Sequence, residues 1–486
     1  MAHSREKTDD QTPPCLVLGA GPAGLTAAYE LSRRQVPTVL VEQDRQVGGL
    51  ARTVEYRGYR FDIGGHRFFT KHDVVRGLWR TMLGDELLVR PRLSRIYYRG
   101  KLFDYPLKPL NALLNMGIAN SMAVLGSYLW SRLAPVRPEV SFADWVSNRF
   151  GRRLYRMFFK SYTEKVWGIP CHRIGAQWAA QRIKGLSLGT ALLHMLLPGR
   201  SKKRGKTIKT LIDEFYYPRL GPGMMWEAFR AAIVTQGGEI SLESRVTRLT
   251  HDGERIVTVE GTRASRPFAW PASRVISTIP LRHLIHALDP PPPRAVQDAA
   301  DRLKYRDFLT VALIIDEPVL FPDNWLYIHD ETVRVGRIQN FKNWSPAMVP
   351  DQTKTCLGME YFCSEGDDLW TMADDGLMAL ATRELTAIGL AVPAKVIDGT
   401  VVRMPKAYPV YDEGYPEALA VVRAYLERFT NLQAIGRNGM HKYNNMDHSM
   451  LTAILAVRNI FGERHDLWAI NVDDDYLEEG WEMNIE

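Results

Sequence analysis

An α/β fold organised on a parallel sheet is predicted by three observations near the start of the chain. Cys15-Leu16-Val17-Leu18 is an apolar run of the length of a buried parallel strand. It stops at Gly19-Ala20-Gly21-Pro22-Ala23-Gly24, after which Leu25, Ala28 and Leu31 recur at helical spacing to about Arg34. A second run, Thr38 to Val41, ends at Glu42. These pieces make a Rossmann-type βαβ unit. Gly19 permits the tight turn, Gly21 lets backbone approach a pyrophosphate, and Gly24, beside Ala23, lets the helix pack on the strand. The helix points its positive end at the phosphates. Glu42 is placed to accept hydrogen bonds from ribose hydroxyls and to repel a 2′-phosphate, which disfavours NADP. Dinucleotide binding is therefore expected, ahead of a purely structural glycine turn.

The continuation selects the dinucleotide. Val47-Gly48-Gly49-Leu50-Ala51-Arg52 is followed by Phe61-Asp62-Ile63-Gly64-Gly65-His66. Here the chain resembles the family of FAD proteins that includes amine oxidases, protoporphyrinogen oxidases and UDP-galactopyranose mutases. The resemblance implies FAD as cofactor in a glutathione-reductase-like domain. It also implies that Gly49, Leu50 and Arg52 follow the FAD phosphates, that Gly64, Gly65 and His66 come up to the flavin, and that backbone near Val246 meets adenine.

At 486 residues, 45% hydrophobic and 24% charged, the chain has the composition of an ordinary globular protein with room for two or three domains. Cys15, Cys171, Cys356 and Cys363 show no metal-ligand spacing, so no metal site is expected. They read as buried thiols in a reducing compartment. With a polar, charged start that lacks an apolar core, they make a cytoplasmic location the expectation. A net charge of +7 points to an anionic partner, a phosphorylated substrate or a membrane surface. Nucleic acid is not expected, because no helix-turn-helix, zinc-finger or RNP-type pattern accompanies the charge.

Further along, Arg95 to Phe103 reads as a hairpin around Arg99-Gly100. Pro109 to Ser131 carries no charge and has apolar residues at helical spacing. Its amides favour a buried or interfacial helix over a membrane span, and peripheral membrane contact at most is expected. Ser141 to Asp144 looks like a capped helix start. The segment Tyr162-Thr163-Glu164-Lys165-Val166-Trp167-Gly168 reads on its own as a helix end with an aromatic core face. It also resembles UDP-galactopyranose mutases, in which such aromatics border a uridine pocket, and a following lid with a phosphate-binding Arg would correspond to Arg182. Leu192 to Arg204 sets apolar beside basic residues, first a solvated loop and second a contact for anionic lipid. Arg334 and Arg337 lie on an expected antiparallel sheet where they can face an anion or solvent. Tyr408 joins Tyr162, Trp167, Arg182 and Arg337 in the expected substrate site.

The segment Gly436-Arg437-Asn438-Gly439 leads through Met440-His441-Lys442-Tyr443-Asn444-Asn445-Met446-Asp447 into a final helix, for which Asp447 is the expected N-cap. Its spelling again resembles UDP-galactopyranose mutase. The resemblance puts Gly436, Met446 and Asp447 at the flavin, Arg437 and Tyr443 at the substrate, and Asn445 where bacterial relatives carry an aspartate.

The expected division is a disordered lead over 1–12 and a discontinuous FAD-binding domain over 13–105, 210–290 and 395–486. A helical substrate or lid region would occupy 106–209 and an antiparallel-sheet substrate domain 291–394. The resemblance implies an FAD enzyme acting on a UDP-sugar. The expected reaction is pyranose/furanose isomerisation through N5 of reduced flavin, with His66, Arg182, Arg437, Tyr443 and Asn445 as catalytic candidates. The alternative is an FAD oxidoreductase, an oxidase or desaturase, on a small or lipidic substrate. The sequence sets no oligomeric state.

Overall fold

The computed structural model describes residues 13–105, 107–176 and 214–471. They fall into two compact units. The first takes 13–49, 226–301 and 418–468, and the second holds 50–225, 302–417 and 469–471 as far as these are described.

The first unit is built on a five-stranded sheet in the order Leu432–Ala434, Arg274–Ser277, Cys15–Leu18, Thr38–Val41, Glu239–Ser241. Every pairing is parallel. The central strands are buried along their whole length, the signature of a parallel sheet covered on both faces. The helix Pro22–Ser32 starts at Pro22 because proline fits a first turn that needs no N–H there. Every residue of that helix after Pro22 is buried. It packs along the final helix, Met446–Ile460. Beside the sheet lies a second one, ordered Arg266–Pro271, Ile256–Arg263, Ser244–His251, Leu288–Asp289.

The second unit centres on a seven-stranded sheet in the order Val396–Pro409, Tyr305–Ile315, Thr355–Cys363, Arg337–Asn340, Trp325–Ile328, Ser94–Tyr98, Lys101–Asp104. Alternation along the strands gives the sheet two different faces. Leu309, Val311, Leu326, Ile338, Met359 and Tyr361 pack under Leu377, Ala381 and Leu385 of the helix Asp374–Ala387. The residues between them, Phe308, Tyr327, Arg337, Gln339, Glu360 and Phe362, belong to the opposite face.

Strand pairing moves the expected boundaries. Val396–Pro409, placed with the cofactor domain from sequence, pairs with Tyr305–Ile315 and completes the second unit's sheet. Ser94–Tyr98 extends the same sheet and Leu87–Pro91 pairs with Glu214–Pro218, so 50–105 and 214–225 belong there too. Residues 291–301 go with the first unit. The uncharged stretch is two helices, Pro109–Met116 and Ile118–Leu133, bent by 117° at Gly117, whose φ of +77° suits glycine. Its apolar side chains are largely exposed, so it is not the buried helix that was one of the expectations. Among the described residues no single helix is long and apolar enough to cross a membrane.

Candidate active site

The glycine turn of the first unit separates structural from ligand-facing positions. A Cβ on Gly24 would lie 1.8 Å from the Gly19 carbonyl oxygen, and one on Gly19, at φ +100°, would lie 2.1 Å from Thr278 Oγ1. Both glycines are required by packing. A Cβ on Gly21 would meet nothing within 4 Å. Gly21 has an extended φ of −77° and no side chain caps the helix it precedes. The middle glycine thus borders open space at the positive end of a helix, where a pyrophosphate fits. Gly48 N–H donates to the Ala20 carbonyl at 2.8 Å, and a Cβ on Gly49 would come within 3.2 Å of Gly21 Cα, so the second glycine pair backs onto the first.

Glu42 holds this turn. Its carboxylate accepts from Ala20 N–H at 2.7 Å and Asp44 N–H at 2.9 Å. Carboxylate oxygens have about two acceptor directions each, so ribose hydroxyls can share the group. Val246 is half-buried at a register shift in the strand Ser244–His251.

The last motif lies in the same unit. Gly436, at φ +79°, passes Ala23 so closely that a Cβ would lie 2.8 Å from the Ala23 methyl. Asn444 Nδ2 donates to the Gly436 carbonyl at 3.2 Å, and Arg437 stacks over the Tyr443 ring at 4.2 Å. The helix N-cap is Asn445, not Asp447. Asn445 keeps extended backbone and His448 reaches back to its N–H at 3.3 Å, while Met446 and Asp447 are buried inside the first turn.

Of the remaining residues expected at FAD, Leu50, Arg52, Gly64, Gly65 and His66 belong to the second unit. There Gly64 adjoins Glu360, Phe308 and the His66 ring, each about 3.8 Å from where its Cβ would be, and Gly65 adjoins Gln339 and Trp344. This loop therefore lies on the sheet face opposite the helix.

The same face gathers Tyr162, Trp167, Arg337 and Tyr408 of the expected substrate residues, while Tyr443 belongs to the first unit. Arg337 donates through Nε to Glu360 and, at 2.9 Å, through Nη2 to the Tyr408 hydroxyl. Glu360 is fully buried and also accepts from Gln339 Nε2 at 2.7 Å. Tyr408 packs against Trp167, Phe308 and Phe362. Tyr162 stacks on His329 at 4.9 Å and meets Tyr327 edge-on at 5.5 Å. Burial pushes the Tyr162 phenol well above its usual range, against the pull of the Arg337 charge. Arg337 is not an open anion site, since Glu360 compensates it, and Arg334 is occupied by Asp368 at 2.6 Å. Arg182 lies outside the described residues.

Several residues here carry no motif and were not expected. Glu360, Gln339 and Tyr327 join the site by alternation on paired strands. Arg67 and Arg92 both stack on Trp325, at 5.7 and 5.4 Å, and Arg92 also on Tyr105. Adjacency of Arg67 to His66 was the one available signal. Arg306 lies flat against the Gly168 backbone, where a Cβ would be 2.5 Å from its guanidinium carbon.

Lys165 anchors the helix Ser161–Trp167. Its ammonium donates to the carbonyls of Ile328, Asp330 and Val335 at 3.2, 2.6 and 3.2 Å. Lys165→Met leaves three inward carbonyls without their donor and should destabilise the protein by about 1–3 kcal/mol, read from denaturant unfolding. Burial also lowers the Lys165 pKa from 10.5 to about 8. Between those values the unfolded chain binds the extra proton, so this residue makes stability rise with pH across that window. The variant should lose that rise.

A parallel sheet, a glycine turn with its middle glycine facing open space, and a carboxylate at the second strand's end define an α/β dinucleotide-binding protein. The chain matches the flavin-containing amine oxidoreductases over residues 22–411 and belongs to that family. It is a flavin-dependent enzyme with FAD as its cofactor. Its fold is similar to that of reduced UDP-galactopyranose mutase, with TM-score 0.79 and 21% identity over 94% of this chain and 97% of that one. It is also similar to putrescine oxidase bound to putrescine, with TM-score 0.60 and 15% identity over 93% and 99%. Among curated proteins, the lycopene-forming phytoene desaturase of Pantoea ananas is 25% identical over 51% of this chain and 52% of its own length. The phytoene dehydrogenase of Streptomyces griseus is 25% identical over 50% of each. The chain thus spans about half the length of these curated relatives.

Proposed function

We propose that this flavoenzyme acts on a nucleotide-linked sugar, most simply a UDP-sugar, and isomerises it between pyranose and furanose forms. The observation that supports this best is the convergence of Tyr162, Trp167, Arg337 and Tyr408 on the sheet face that also carries Gly64, Gly65 and His66. Aromatic surfaces with a few fixed polar groups suit a base and a sugar, which offer flat rings and many hydroxyls. Reduced flavin supplies a nucleophilic N5 when bound. The chain's own part is to bind and orient. Tyr162 and Trp167 stack the nucleoside, Arg182 is assigned to the diphosphate, and Tyr408, oriented by Arg337, donates or accepts at the sugar. His66 orients the reacting end in the second unit, and in the first unit Arg437, Tyr443 and Asn445 are the candidates that the last motif supplies. Arg67 and Arg92, steadied by Trp325, add positive charge for the diphosphate.

A second reading, a redox enzyme, is supported by the desaturase, dehydrogenase and oxidase likenesses. Binding tests the substrate class. UDP titrated into reduced holoprotein should perturb the flavin spectrum saturably. Tyr162→Ala should weaken UDP by about 1–3 kcal/mol, the worth of one stacked base, while FAD stays bound. An unchanged spectrum at saturating UDP and UDP-sugars would remove the nucleotide-sugar assignment.

A further inference from the structure

We propose that the second unit docks on anionic phospholipid: the outward apolar face of Pro109–Met116 and Ile118–Leu133 enters the headgroup layer, and an arginine-lined cavity beside it receives lipid phosphates. The proposal does not depend on the reaction assigned above. Leu114, Ile118, Met122, Leu129, Trp130 and Leu133 are each more than half exposed. A helix packed on a soluble domain turns such a stripe inward. In Ile118–Leu133 only Val124 and Ser131 are buried. The 117° bend at Gly117 suits two short helices lying in an interface rather than crossing it.

Charge identifies the occupant. A cavity of about 530 Å³ borders these helices and is lined by Arg99, Lys101, Arg152, Arg153 and Arg156 together with Met116, with no carboxylate in its wall. Arg153 binds the neutral Asn120 side chain at 2.7 Å, and Lys101 the Asn115 carbonyl at 2.6 Å, so neither contact compensates a charge. The chain has no Asp or Glu from 105 to 138, while Lys108, Arg132 and Arg137 add positive charge to the same stretch. A second copy of the chain docked face to face would set these cations against their equals. An anionic membrane meets both the apolar stripe and the basic cavity, and Trp130 is of the type that settles at the headgroup level.

The test is flotation of the full holoprotein with vesicles of phosphatidylcholine alone or mixed with phosphatidylglycerol. Binding is expected to the mixed vesicles, at least about tenfold weaker to the neutral ones, and weakened by high salt. Two double variants alter exposed positions only, and unchanged denaturant unfolding curves report that they fold: Leu114→Asp with Ile118→Asp, and Arg152→Glu with Arg156→Glu. Each should lower binding by about tenfold or more. No flotation, equal binding to neutral vesicles, or loss in only one of the pairs would overturn the joint surface. So would a concentration-dependent dimer that Ile118→Asp dissolves, or inorganic phosphate bound in the cavity by a protein that ignores vesicles.

Discussion

Gly21→Val should give a folded, colourless protein. Backbone at this position is extended and an added Cβ meets no protein atom within 4 Å, so the backbone and the first side-chain carbon are accommodated without strain. What it fills is the space that a pyrophosphate would take at the uncapped start of Pro22–Ser32. Displacing that contact should cost FAD affinity about two orders of magnitude or more, equivalent to about 3 kcal/mol. Gly24→Val, by contrast, should fail to fold, because its Cβ meets the Gly19 carbonyl at 1.8 Å. The contrast is read by unfolding curves and by flavin absorbance of the purified proteins. A Gly21→Val protein that is folded and still yellow would contradict the cradle.

The second large effect is expected at Glu360. Its carboxylate is fully buried and accepts from both Arg337 and Gln339, and Arg337 in turn orients Tyr408. Glu360→Gln leaves the Arg337 charge without its counterion in a mostly desolvated place. Breaking a buried pair from one side typically costs about 3–5 kcal/mol. Arg337→Met combined with Glu360→Gln should cost less than the two single changes added, because the orphaned charge is gone. Denaturant unfolding of the three variants measures the coupling. Additive losses would mean that the pair is not the structural centre of this face.

The βαβ unit was legible in the sequence because each of its parts is locally determined. A strand-length run, glycines with distinct steric demands and a helical period need no knowledge of the rest of the fold. The sheet face was legible only in part. Tyr162, Trp167, Arg337 and Tyr408 were singled out in the sequence and lie on one face, but Glu360, Gln339 and Tyr327 join them through strand alternation and register, which no short motif encodes. Arg337 shows the difference: it was placed on an antiparallel sheet, but the carboxylate that neutralises it lies on the neighbouring strand, 23 residues away in sequence. The N-cap was missed by two positions, since Asn445, Asp447 and Ser449 are all good caps and only the chain's bend selects Asn445. Whether the uncharged stretch is buried or interfacial was left open by the sequence, because periodicity reports an apolar stripe but not what it faces.

Whether turnover leaves the flavin as it found it tests the proposed chemistry most directly. Anaerobic, dithionite-reduced enzyme should interconvert the pyranose and furanose forms of a UDP-sugar for many cycles, with the flavin still reduced and no oxidised product. If only oxidised enzyme turns over, with one flavin reduced for each product formed, the isomerase reading is wrong and the protein is a redox enzyme.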